Sequence, residues 1–191
     1  MDAFLVSTGV VALGEMGDKT QLLAILLAVR FKRPWTICLG ILLATLANHA
    51  LAGLLGIGVA TWLSPQALRW VVGLSFLLMA VWLLVPDRLD ADDIRPARAR
   101  MGVLGTTIIM FFLAEMGDKT QIATVALSAR YSDLLAVVGG TTIGMMLANM
   151  PPVFLGEVLA RRVTMRWIQG GAAGIFALLG VLTFWNVGDF F

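Results

Sequence analysis

The sequence predicts an all-α polytopic membrane protein with six transmembrane helices arranged as two inverted-topology three-helix repeats. Three observations carry this. The 191 residues are 59% hydrophobic and only 14% charged, with a mean hydropathy of +0.90, more apolar surface than one soluble core of this length hides. The apolar residues fall into six runs, each near the roughly 20 residues that cross a bilayer as helix. A seven-residue polar motif inside the first run recurs inside the fourth, displaced by 100 positions.

The runs are Phe4–Val29, Trp35–Leu63, Leu68–Val85, Val103–Ala129, Leu134–Leu159 and Trp167–Val187. They are continuous rather than alternating, which favours helices over a barrel. The first lacks a preceding basic segment, is too long for a signal core and holds Glu15, Asp18 and Lys19, so no cleaved leader is expected there. Trp62, Trp70, Trp167 and Trp185 fall near run ends, where an amphipathic ring sits at the headgroup level. The single cysteine, Cys38, permits no intramolecular disulfide and reads as a packing residue.

Counting basic residues sets the orientation. Arg30, Lys32, Arg33, Arg88, Arg95, Arg98, Arg100, Arg161, Arg162 and Arg166 follow the odd-numbered runs, against Arg69 and Arg130 on the other side. By the positive-inside rule the first side is cytoplasmic and both termini face outward. Residues 1–86 form the first repeat, 87–100 a cytosolic polar linker and 101–191 the second repeat. The linker's Asp90, Asp92 and Asp93 match no complete calcium loop and lie beside arginines, so they read as solvated. Nothing supports a nucleic-acid partner; the partners expected are the lipid bilayer and ions, with the oligomeric state open.

Glu15-Met16-Gly17-Asp18-Lys19-Thr20-Gln21 is repeated identically as Glu115-Met116-Gly117-Asp118-Lys119-Thr120-Gln121. Similarity continues through Arg30-Phe31 against Arg130-Tyr131, and Leu46-Ala47-Asn48 against Leu147-Ala148-Asn149. Three helices per half make the second half start on the opposite side, as in secondary transporters built from inverted repeats. The two motifs then meet near the midplane. Within each motif Glu and Asp at i and i+3 share a helix face, and Lys at i+4 from Glu allows a salt bridge within the helix. Four carboxylates against two ammonium groups leave an excess of two negative charges, which one divalent cation or two protons would cancel. Carboxylates, with Gln21, Gln121, Asn48 and Asn149 as carbonyl donors, suit hard or borderline ions such as Mn²⁺, Ca²⁺ and Mg²⁺ over thiophilic ones. Met16 and Met116 read as packing rather than thioether ligands. Gly17 and Gly117 point equally to local unwinding or to close helix packing.

These residues resemble a known family. The twin Glu-x-Gly-Asp-Lys/Arg-Thr/Ser motif in two three-helix halves is similar to that of the MneA-type bacterial manganese exporters and their Golgi relatives, which transport manganese and calcium. The resemblance covers nearly the whole chain. It implies a secondary transporter, not an enzyme, that exports Mn²⁺ by alternating access in exchange for protons. The metal positions are Glu15, Asp18, Glu115 and Asp118, and Lys19, Thr20, Lys119 and Thr120 complete the motifs. No resident cofactor is expected, only a transported divalent cation. Ligand chemistry alone leaves a Ca²⁺/H⁺ exchanger open.

Two other classes remain. A pair of structural ion networks would leave the exact repetition and the charge excess unexplained. A metal-dependent intramembrane enzyme would need substrate-handling groups beyond a near-symmetric cluster. No phosphate-binding loop for a nucleotide is present. His49 has Met150 in its place in the second half and reads as a packing or pore-lining histidine, and Glu157 as a helix-end partner of Arg161.

Overall fold

Two apolar runs that read as unbroken helices are each interrupted in the middle by the polar motif. In the computed structural model, which describes residues 1–84, 101–155 and 165–185 with side chains from 170 onward in the last stretch, the described residues are helical apart from short turns. The first run divides into α1 (Asp2–Glu15) and α2 (Lys19–Phe31), and the fourth into α5 (Gly102–Glu115) and α6 (Lys119–Tyr131). The others form α3 (Pro34–Trp62), α4 (Pro65–Leu83), α7 (Leu134–Leu155) and α8 (Met165–Trp185). The linker 87–100 and the Glu157–Arg161 pair lie outside the described residues, as does the Trp167 side chain.

The break corrects the expectation of continuous helices, and its cause is local. Gly17 has φ 88° and Gly117 φ 77°, a left-handed conformation that costs an L side chain about 1–2 kcal/mol and glycine nothing. Asp18 and Asp118 follow in extended conformation as the N-caps of α2 and α6. Glu and Asp therefore bracket a turn instead of sharing a helix face. Gln21 and Gln121 fasten the turns: their side-chain oxygens accept the N–H of Gly17 at 3.0 Å and of Gly117 at 2.7 Å, one residue beyond the usual reach-back in a capping box. Of the two readings of these glycines, local unwinding is the one found.

The other ends follow ordinary rules. Lys32 and Ser132 close α2 and α6 in the left-handed region. Pro34 opens α3, and Ser64 caps α4 by accepting from the Ala67 N–H, with Pro65 as first helical residue. Among the described residues α3, α4 and α7 are each long and apolar enough to cross a bilayer, and α5 and 170–185 are shorter apolar helices.

Packing interleaves the halves. α1 lies along α7, and α5 along α3; α3 also packs on α6, and α7 on α2; α4 pairs with α8. In the α4–α8 pair the Trp70 and Phe184 rings meet at 4.9 Å with their planes tilted by 53°, and Phe76 meets Phe176 edge-on at 6.0 Å. Many large apolar side chains on the outside are exposed, among them Trp35, Trp62, Leu135 and Trp185, as expected of a surface facing lipid rather than water.

Candidate cation site

The two interruptions bring the acidic residues together. Glu15 ends α1 and Glu115 ends α5, and both are fully buried. Carboxylate oxygens of Glu15, Glu115 and Asp118 all lie within 4.8 Å of one another. Ions of this class sit about 2.0–2.6 Å from their oxygen ligands, so one ion between the three would need at most a small inward movement of the carboxylates to bind all of them. Thr20 Oγ1 donates to Glu15 Oε2, and Thr120 Oγ1 donates to Glu115 Oε2 at 3.1 Å. The remaining oxygens, Glu15 Oε1, Glu115 Oε1 and Asp118 Oδ2, are buried with no hydrogen-bond partner among the described residues. An unpartnered buried carboxylate oxygen is costly unless a cation or proton meets it.

The lysines pair across the halves, which corrects the expectation of a bridge to the glutamate of the same motif. Lys119 Nζ donates to Asp18 Oδ1 at 2.8 Å, both side chains buried, and Lys19 Nζ stands 3.4 Å from Asp118 Oδ1 with Lys19 27% exposed. Breaking each helix before its lysine swings the ammonium away from its own glutamate and toward the opposite aspartate. Asp18 is thus held by Lys119 and stands apart from the cluster formed by Glu15, Glu115 and Asp118.

The amides serve mainly as ties. Gln21 Nε2 donates to Ala148 O at 3.0 Å, and Gln121 Nε2 reaches Asn48 Oδ1 at 3.5 Å. Pro152 in α7 has no N–H to give to Ala148 O, four residues back, and that is the carbonyl Gln21 takes. The first half has no proline at this place. Asn48 also donates to Phe112 O at 2.9 Å, so both ends of its amide are engaged. Asn149 donates to Met145 O and Sδ, and its buried Oδ1 has no partner among the described residues. Met116 is exposed.

A family model described as the divalent cation/proton antiporter GDT1 matches residues 3–91 and 103–189. The chain belongs to the GDT1 family. This GDT1-family protein is a membrane protein that transports divalent cations and is not an enzyme. It is 49% identical to a candidate manganese exporter of Vibrio cholerae, over 96% of this chain and 90% of that one. It is 26% identical to a GDT1-like protein of Synechocystis over 97% of this chain and 98% of the relative. With the divalent cation/proton antiporter GDT1 of Saccharomyces cerevisiae it shares 24% identity over 95% of this chain and 83% of the relative. No solved structure matches the GDT1-family chain.

Sequence reasoning placed the four acids and the motif polar residues in one site, and the geometry gathers three of those acids directly. It missed the cross-half lysine pairing. The only signal for that was the glycine between Glu and Asp, since a left-handed residue there rotates everything after it.

Proposed function

We propose that this protein exports Mn²⁺ across a bacterial inner membrane in exchange for protons, by alternating access around one site at the meeting of the two motifs. The observation that carries the reading is the set of three buried carboxylates with oxygens within 4.8 Å and one oxygen each unpartnered by the described residues. The aspartates face lysines, so the charge that the protein leaves uncompensated resides on Glu15 and Glu115. One divalent cation cancels it, and so do two protons. The cation binds to Glu15, Glu115 and Asp118, with Asp18 reached when its tie to Lys119 opens. When the cation leaves, the two glutamates take protons, because two close carboxylates out of water do not persist as a charged pair. One site serving both ions gives exchange without a second pathway.

The architecture of the reading is six spans in two inverted repeats, α1–α2 and α5–α6 each counting as one interrupted span. Half-helices whose ends meet at the midplane are the usual cation site of such folds. Both termini lie outside, following the basic-residue count. Manganese over calcium rests on the Vibrio relative's name, since an all-oxygen ligand set accepts either ion.

The test is flux in proteoliposomes holding a proton-sensitive dye, with Mn²⁺ and then Ca²⁺ supplied outside. Mn²⁺ entry with proton exit, lost in Asp118→Asn with the protein still folded, is the expected result. Unchanged flux in Asp118→Asn overturns the site, and faster Ca²⁺ than Mn²⁺ flux overturns the choice of ion.

A further inference from the structure

Outside the carboxylate cluster, buried polar groups gather on the seam between α3 and α6. α6 carries Thr120, Thr124 and Ser128 at successive turns, all buried. α3 carries Thr45 and His49 one turn apart, also buried. The register is fixed at two points. Gln121 reaches Asn48, and a Cβ added at Gly53 would stand 3.1 Å from Ser128 Oγ, one at Gly56 2.9 Å from Ser128 Cβ. The helices therefore run parallel, and His49, one turn before Gly53 on the same face, falls level with Thr124. Thr45 Oγ1, His49 Nδ1 and Nε2, and Ser128 Oγ have no partner among the described residues. Each such group costs about 1–3 kcal/mol if it stays unsatisfied, a cost that water admitted to the seam would remove.

The equivalent seam in the other half, between α2 and α7, is apolar. Ala24 and Ala28 stand where α6 has Thr124 and Ser128, and Met146 and Met150 where α3 has Thr45 and His49. These four residues belong to one apolar cluster. The acidic motifs are identical, yet the seams beside them are lined by polar groups on one side and by apolar ones on the other.

We propose that the α3–α6 seam is a hydrated proton path from Glu115 to the aqueous face where α6 ends, outside in the orientation proposed above, and that the α2–α7 seam is its dry counterpart. Thr120, whose hydroxyl donates to Glu115, is the junction. Hydroxyls and a neutral imidazole each donate and accept. A proton leaving the Glu115 carboxyl passes into the file of water, each group taking one proton and releasing another, so none changes its net charge. The path rests on the proposed exchange of cation for protons.

Two measurements test it. With a membrane-impermeant methanethiosulfonate on both sides of the vesicle membrane, Ser128→Cys, and equally Thr124→Cys, should be modified, while Ala28→Cys and the native chain, whose Cys38 is buried, are spared. Equal modification of both seams, or of neither, overturns the path. In proteoliposomes, His49→Met/Ser128→Ala, which copies the other half, should slow Mn²⁺-driven proton counterflow about tenfold and leave equilibrium Mn²⁺ binding to the purified protein within about twofold. Unchanged counterflow, or loss of Mn²⁺ binding along with it, overturns the path. A native chain that moves no protons against Mn²⁺ would instead overturn the exchange reading, and the labelling result would still judge the seam.

Discussion

Removing Lys119 should damage this protein far more than removing Lys19, although the two occupy identical motif positions. Lys119 and Asp18 meet at 2.8 Å with side-chain exposures of 5% and 0%, whereas Lys19 stands 3.4 Å from Asp118 and is 27% exposed. Taking one partner from a buried pair strands the other charge and costs about 3–5 kcal/mol. A partly exposed, longer pair is worth about 1 kcal/mol after solvent screening. In a chain of this size each kcal/mol moves the melting temperature by about 2–4 °C, so Lys119→Met should lose about 6–20 °C and Lys19→Met about 2–4 °C. Thermal unfolding of detergent-purified protein without divalent cations, followed by tryptophan fluorescence, reads both. Lys119→Met/Asp18→Asn should recover most of the loss, because the stranded charge is gone. Equal losses for the two lysines, or an Asp18→Asn effect that simply adds to that of Lys119→Met, would refute the reasoning.

The other predictions rest on the turns, the charge balance and the proline. Gly117→Ala should cost about 1–2 kcal/mol by thermal unfolding, since φ is 77° and nothing lies within 4 Å of an added Cβ; no loss would mean that the turn is not held in this conformation. If two protons leave for each divalent cation, a potassium diffusion potential should not change the final Mn²⁺ gradient, whereas one net charge moved would shift it about fiftyfold per 100 mV. If protons and cation share the glutamates as proposed, raising the pH on the loading side should tighten apparent Mn²⁺ affinity, by up to about a hundredfold per pH unit for two protons; a flat profile would refute the competition. Pro152→Ala supplies an N–H to Ala148 O in place of Gln21 Nε2, so the stability cost of Gln21→Ala should shrink by about 0.5–1.5 kcal/mol in that background, and strict additivity would show that the two groups do not share the carbonyl.

Much of this could be read before any coordinates. Hydropathy located α3, α4 and α7, and the duplicated motif located the acids, because burial of apolar surface and the cost of intramembrane charge are both written in residue type and spacing. The interruption at Gly17 and Gly117 was harder to see. The flanking residues are apolar on both sides, so the hydrophobic run continues through the turn, and a glycine offers close packing as readily as positive φ. With that turn unseen, the spacing of Glu15 and Lys19 pointed to the wrong partner. Spacing rules hold only within one helix, and the chain leaves the helix between those two residues.

The turn also changes what the charge excess means. In a continuous helix each lysine would neutralise its own glutamate, leaving two aspartates to bind a cation from side chains too short to reach far. With the helices broken, the lysines are committed to the aspartates of the opposite half. The uncompensated charge passes to Glu15 and Glu115, which stand at the C-terminal ends of α1 and α5, where helix dipoles favour a cation and disfavour a second negative charge. Each cross-half pair joins one motif to the other, so moving one half against the other must strain both pairs. The two pairs are unequal, one tight and buried and the other longer and partly exposed. In the proposed site the lysines are then internal cations that hold the aspartates, and an incoming ion meets its uncompensated charge at the glutamates and shares Asp118 with Lys19.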